Sequence, residues 1–301
     1  MGIQKEIWQR AIIEGLFPDD SFAAKAVNDD MYVNEGKKVH IPNAGAASKV
    51  EVNRSTIPAT VKTRTDVDVE YELDEFTTDP VRLPYAETVE LSYDKRTSLI
   101  SQDRAALKEN VHQNLLYKWA PASDKTIKTT GAAVLSHTAD ATGNRKALVA
   151  ADILSLMTQF DKQNIPSTGR YLLLDAVMYA QLLDSLTSTQ MIGFFNAADV
   201  KNGVVGQLYS FNVMKRSEVL RYGSSGSLKK FSESGAADDN AAGLAWWDKA
   251  ASRAVGEVKM FDSMDNPTYY GDIYSFLVRA GGAIRRNDKK GVWAIVQAAS
   301  E

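Results

Sequence analysis

The chain has 301 residues, 44% of them hydrophobic, and a formal net charge of -3, which is apolar material for one large domain or two small ones. A sequence pI near 5.8 excludes a generally basic protein that coats nucleic acid but leaves local basic patches open. The absence of cysteine excludes a disulfide scaffold, a thiolate metal site and a cysteine nucleophile, so stability must come from burial or assembly. No apolar run has membrane-spanning length and the N-terminal stretch lacks a signal-peptide core, so a soluble compartment is expected.

Residues 1–45 read as an arm rather than a core. A short helix over 6–15 carries Ile7, Trp8 and Ile12, a turn follows over 23–27, and 38–41 is strand-like, with Pro18, Asp19, Asp20, Asn28, Asp29 and Gly36 interrupting. Such a segment buries little against itself and is ordered by docking elsewhere. Residues 60–93 then read as one very long antiparallel hairpin. Val61, Thr63, Thr65, Val67, Val69, Tyr71 and Leu73 share one face of its first arm, and Lys62, Arg64, Asp66, Asp68, Glu70 and Glu72 share the other. A turn is expected over 74–80, and the return arm repeats the alternation with Val81, Leu83, Tyr85, Val89, Leu91 and Tyr93. An arm of that length extends about 45 Å, against a radius of gyration of roughly 19 Å for a compact chain of this size. The hairpin should therefore project, and a two-stranded ribbon needs a support, most simply another copy of the chain.

A helix is predicted over 94–119, roughly 38 Å long, with Leu99, Ala106, Leu107, Val111, Leu115 and Trp119 as its apolar stripe, His112 on its polar flank and Pro121 closing it. Residues 121–144 read as loop with short strands. An α/β layer follows: a helix over 150–162, a buried strand over 170–174, and a further helix capped by Asp175. A glycine turn at 203–206 leads to a strand at 211–214, and 223–243 holds a flexible loop. Strands are expected over 244–247, 256–261, 272–279, 283–286 and 292–296, with Asn287 and Asp288 turning a final hairpin. Trp246 and Trp247 face opposite sides of their strand, so at least one belongs to the core.

The chemistry is sparse. His40, His112 and His137 have no metal-ligand spacing. The segment Gly223-Ser224-Ser225-Gly226 lacks the glycine spacing of a hydrolase elbow, no phosphate loop is present, and Gly203, Gly206 and Gly281-Gly282 read as turn residues. No enzyme, metal or cofactor is expected. Two charge clusters remain as candidate intersubunit contacts. Asp66, Asp68, Glu70 and Glu72 form an acidic row, either a solvated face or one that meets cations of a neighbouring copy. Arg279, Arg285, Arg286, Lys289 and Lys290 form the densest basic cluster, which fits phosphates and intersubunit pairing equally.

The order of arm, extended hairpin, long helix, central α/β domain and terminal β segment resembles the major capsid proteins of tailed bacteriophages, with the Hong Kong 97-type fold. Local markers are Lys38-Val39-His40-Ile41-Pro42, residues 72–80, residues 90–96 leading into the helix, and residues 203–213, where Ser210 stands at a position many relatives fill with glycine. The resemblance implies an α+β fold with an N-terminal arm at 1–45, an extended loop at 46–92, a peripheral domain with the spine helix at 93–148, an axial domain at 149–253 and a return to the peripheral sheet at 254–301. It implies a structural subunit, assembled in the host cytoplasm, that builds pentamers and hexamers of an icosahedral shell around double-stranded DNA contacted non-specifically. A separate scaffolding protein and a portal are implied partners. A chain beginning at Met1 in the arm is expected either to use that separate scaffold or not to be the precursor. An encapsulin-like compartment shares the fold, and an enzyme with an unrecognised site is the alternative of another class.

Overall fold

The structure is a computed structural model describing residues 9–10, 12–18, 20–34, 36–41, 50–55, 57–58, 61, 69–84, 95–286 and 288–300, without the side chains of 95–100. The chain is α+β, as expected. Ile7, Trp8, Asp66, Asp68, most of the first hairpin arm, the return arm beyond Pro84, the side chain of Leu99 and Asn287 lie outside the described residues.

The arm contributes β1 (Val27–Asn28), β2 (Val33–Asn34) and β3 (Lys38–Ile41). Next come β4 (Val69–Glu72), β5 (Asp74–Thr77) and β6 (Val81–Pro84). Among the described residues the expected turn over 74–80 does not form, and 69–73 do not pair with 81–84. β4 pairs with β3, whereas β5 and β6 both run antiparallel along one edge of the far strand β17 (Gly271–Ile284). Residues 69–84 are thus one extended run with two successive partners. A one-residue bulge separates β5 from β6, and there Thr78 donates its backbone N–H to Phe276 O while its Oγ1 accepts from Phe276 N. Alternation identifies a strand without identifying its partner, and the physical partner here lies nearly 200 residues away.

The long ribbon of the molecule is formed instead by β16 (Ala251–Asn266) and β17. The separate strands expected at 272–279 and 283–286 are one strand, because Gly281 and Gly282 are strand residues and not turn residues. Gly282 is required by close approach: a Cβ there would lie 2.2 Å from Ser252 O and 2.7 Å from Leu115 Cδ2. That space admits the spine helix α1 (Lys95–Trp119), whose Trp119 Nε1 donates to Ser252 O at 2.9 Å.

The larger, eight-stranded sheet comprises β7 (Thr126–Lys128), β10 (Arg170–Asp175), β11 (Gly206–Leu208), β12 (Phe211–Arg216), β13 (Leu220–Tyr222), β14 (Leu228–Lys229), β15 (Asn240–Trp247) and β18 (Val292–Val296). A small sheet of β8 (Ala133–Leu135), β9 (Asn144–Lys146) and β19 (Ala299–Ser300) lies beside it. In the larger sheet β10 is parallel to β12 and antiparallel to β15. β18 pairs with β15 and β7 and not with β17, so no final hairpin forms, and the strands of residues 254–301 divide among three sheets.

Period-two burial of the larger sheet makes two cores. Leu172, Leu174, Phe211, Val213 and Ala245 face α2 (Ala150–Lys162) and α3 (Ala176–Ser185), and Phe194 of α4 (Ser188–Asn196) joins that core. Leu173, Met214, Leu244 and Trp246 face the arm and the spine helix. Asp175 Oδ1 caps α3 by accepting from Val177 N at 2.9 Å and Met178 N at 2.7 Å. Arg170, almost fully buried, is satisfied by Pro166 O, Ile165 O, Asp161 and Ser210 Oγ. Ser210 belongs to the two-residue turn joining β11 and β12, in which Tyr209 and Ser210 have φ of 46° and 70°. Both central positions of such a turn require positive φ, and the Arg170 bond helps hold the non-glycine residue there.

The spine stripe is Leu107, Val111, Leu115, Leu116 and Trp119, while Ala106 is exposed. His112 is a correction. It is buried between Phe17 and Phe22, and its Nε2 lies 2.8 Å from Leu16 O, so the neutral ring donates from Nε2 to the arm. Burial pulls its pKa down to about 4, with nearby Arg216 and Lys108 also acting against the charged form.

Candidate assembly surfaces

Among the described residues, Glu70 and Glu72 of the acidic row do not pair with the basic cluster. On β4, Glu70 and Glu72 stand opposite His40 and Lys38 of β3, at 3.0 and 3.2 Å. They are exposed cross-strand pairs, which fix register more than they stabilise. The basic cluster is divided among three places. Arg279 sends Nε and Nη2 to Glu75 Oε2, at 3.1 and 2.9 Å, and lies 3.5 Å from Glu257. Arg285 reaches Asp29, which is fully buried, at 3.2 Å. Arg286 holds Asp288 through two bonds of 2.9 and 2.7 Å, and Lys290 approaches the same carboxylate. Those Arg286 bonds keep the Asp288 carboxyl well below the usual range. Lys289 is exposed and offers its carbonyl to Lys125.

Asp29 joins four segments. The Tyr71 hydroxyl lies 3.4 Å from its Oδ2, Ser252 Oγ lies 3.4 Å from that hydroxyl, and Arg285 supplies the cation. Burial raises the Asp29 carboxyl against the opposing pull of Ser252, Arg285 and Tyr71. The arm, the root of the extended run and both strands of the ribbon are tied at this one carboxylate.

Three apolar surfaces are exposed, and of their residues the sequence reading singles out only Val61. On and after α4, Ile192, Phe195 and Val200 are exposed, and the signal that marks them is the run 185–198, which contains no charged residue. At the ribbon tip, Phe261, Tyr269 and Tyr270 are exposed, Tyr270 to 77%. Around the extended loop, Val50, Val52, Ile57 and Val61 are almost bare. A soluble monomer rarely shows several such patches, which mark contact surfaces.

The cavities offer little chemistry. One of about 340 Å³ is lined by His137, Asp175, Ser217 and Glu218. His137 Nε2 lies 3.1 Å from Asp175 Oδ2, the carboxylate that caps α3, and its Nδ1 meets no hydrogen-bond partner. No base and hydroxyl pair is therefore assembled there. Among the described residues no group of three or more His, Asp or Glu side chains is placed to hold a metal ion, and no helix is long and apolar enough to cross a membrane.

No protein-family model and no curated protein matches the sequence. Solved structures do match in fold. The capsid of Ralstonia phage GP4 aligns with a TM-score of 0.66 and 13% identity over 96% of this chain and 91% of that one. The capsid structure of cyanophage P-SCSP1u aligns at 0.63 and 17% over 92% and 87%. A virus-like particle from Pyrococcus furiosus aligns at 0.51 and 11% over 97% and 98%. The likeness spans nearly the whole of each chain, and the chain has the fold of tailed-phage major capsid proteins, the Hong Kong 97-type fold.

Proposed function

We propose that this chain is the repeating structural subunit of an icosahedral capsid that encloses the double-stranded DNA of a tailed phage. The observation that carries the reading is the fold shared with phage capsid chains over about nine tenths of both partners. The bare apolar surfaces support it, because a chain that buries them only against copies of itself needs no disulfide or metal. In this reading the role is non-enzymatic and homo-oligomeric, with the protein resident in the virion after assembly in the host cytoplasm. Residues 1–45 act as the arm, 46–92 as the extended loop, 93–148 with the ribbon as the peripheral domain, and 149–253 with β18 as the axial domain. A separate scaffolding protein, a portal and non-specifically held DNA are the accompanying partners. Asp66, Asp68, Glu70 and Glu72 face a neighbouring copy, and the 286–290 turn offers its cations outward.

Electron microscopy and light scattering of the purified chain, alone and coexpressed with its neighbouring genes, test this. Closed particles or their pentamers and hexamers are expected, and a monodisperse monomer under every condition refutes it. The encapsulin-like alternative rests on the Pyrococcus furiosus particle, whose fit has the lower TM-score of 0.51. Particles that package a dedicated enzyme rather than DNA would favour it.

A further inference from the structure

The ribbon tip and a groove beside the spine helix match in polarity and charge, and they do not meet within one chain. The tip, residues 262–272, contains Asp262, Asp265 and Asp272 and no lysine or arginine. Tyr270 is held there at φ 48°, a left-handed conformation that is unfavourable for a bulky residue, with its side chain 77% exposed. Strain of this kind persists where a displayed side chain has a use. The groove, a cavity of about 340 Å³, lies between β5, the spine helix and the loop after β14. Phe76, Tyr117 and Phe231 make its apolar wall, Lys118 stands at it paired with Asp74 at 3.1 Å, and Lys230 adds a second cation. Lys230 Nζ lies 5.9 Å from the centre of the Tyr117 ring, so a cation already borders the aromatic wall. Asn110 and Gln113 turn their amide hydrogens back to Ala106 O and Glu109, which leaves amide oxygens to accept from a phenol.

Phe76 pairs with Val278, eight residues along β17 from Tyr270, which places the tip about 26 Å from its own groove at the rise of a strand. A ribbon backed along β17 by β5 and β6 does not fold back over that span. We infer that the aromatic tip of one copy docks in the spine groove of a second copy, with Tyr270 as the inserted side chain. The contact uses two different patches, so each copy both gives a tip and receives one, and contacts of this type propagate into rings or sheets rather than stopping at a pair. The inference rests on the shell reading and adds to it a named pair of surfaces.

The lack of native cysteine makes the test clean. Tyr270→Cys and Ser232→Cys, both at exposed positions, are combined in one chain and treated with a short bismaleimide after assembly. The expected result is a ladder of covalent dimers, trimers and higher multimers, at least about ten-fold above either single variant, since docking raises the effective concentration of the two thiols. Covalent dimers from Tyr270→Cys alone mean that tips meet tips and overturn the inference. Normal particles with no ladder overturn it too, whether because the groove takes another protein or nothing at all. Failure of the unsubstituted chain to form any multimer sinks the shell reading itself, a separate and distinguishable outcome. As a second measurement, Tyr270→Ala should raise the concentration for half-assembly about ten-fold while Tyr270→Phe, which keeps the ring, moves it much less; equal effects, or none, count against insertion.

Discussion

Replacing Arg285 with alanine leaves the fully buried Asp29 carboxylate without its cation. Breaking a buried pair from one side costs about 3–5 kcal/mol. Arg285 is about a quarter exposed, so water enters its place, and the Tyr71 and Ser252 hydroxyls remain. The expected loss is therefore just below that range, about 2–3 kcal/mol, or a melting point lower by about 3–5 °C for a chain of this size. The sign with pH follows from the raised Asp29 carboxyl. An acid whose folded-state pKa lies above its unfolded value favours folding while protonated, and that contribution is lost as pH rises through the folded value. Without Arg285 the folded value rises further, so the deficit of the variant against the unsubstituted chain should be largest near neutral pH and shrink as pH falls toward about 4. Adding Asp29→Asn to Arg285→Ala removes the stranded charge and should restore about half of the loss at neutral pH. Calorimetry of the chain kept below its assembly concentration, from about pH 5 to 8, reads all of this. A deficit below about 0.5 kcal/mol, or one that grows on acidification, refutes the tie at Asp29.

Gly282→Ala forces the spine helix off Ser252 O and should lower stability by about 3 kcal/mol, the upper end of overpacking costs, read as an unfolding midpoint at lower denaturant; a change within error shows that the helix has room to shift. His112 should stay neutral well below pH 6. Its folded pKa of about 4 lies below the unfolded value, so stability is expected to decline as pH falls from about 6.5 to 4, and a His112→Gln chain should lack that component; imidazole NMR titrating near 6.5 would contradict the burial. Replacing Asp66, Asp68, Glu70 and Glu72 together by lysine should leave the α/β core folded and impair shell closure, more severely at low salt. Particles of ordinary yield and melting point at both salt extremes would show that the row is simply solvated.

Elements whose hydrophobic period and caps are local were readable before the fold was seen. The spine helix, α2, Asp175 as cap of α3, β12 and β18 depend on neighbours a few residues away, and they lie where their patterns put them. Non-local facts were not readable. Residues 69–84 alternate as any strand does, and the edges they occupy belong to residues 38–41 and 271–284. His112 looks polar in a helical projection and is buried because Leu16, 96 positions earlier, supplies its acceptor. The glycine pair at 281–282 signals a turn by composition, and its purpose emerges only when Trp119 crosses it. Among the candidate contacts, composition found the charges but not their intrachain partners, and the charge-free stretch before Asp199 was the available clue to the apolar face on α4.

The side-by-side seating of β5 and β6 along β17 has a mechanical meaning. When a ladder is pulled at right angles to its strands, its bonds open one after another, like a zip. When the load runs along the strands, the bonds share it and must fail together. A neighbour tugging residues 74–84 lengthwise would load the bonds to residues 271–280 in parallel, and the hooked bulge at Thr78 resists sliding. In the proposed shell, that orientation would let a short strip of edge pairing carry tension between copies, and its strength would appear as a rupture force rather than as an equilibrium stability.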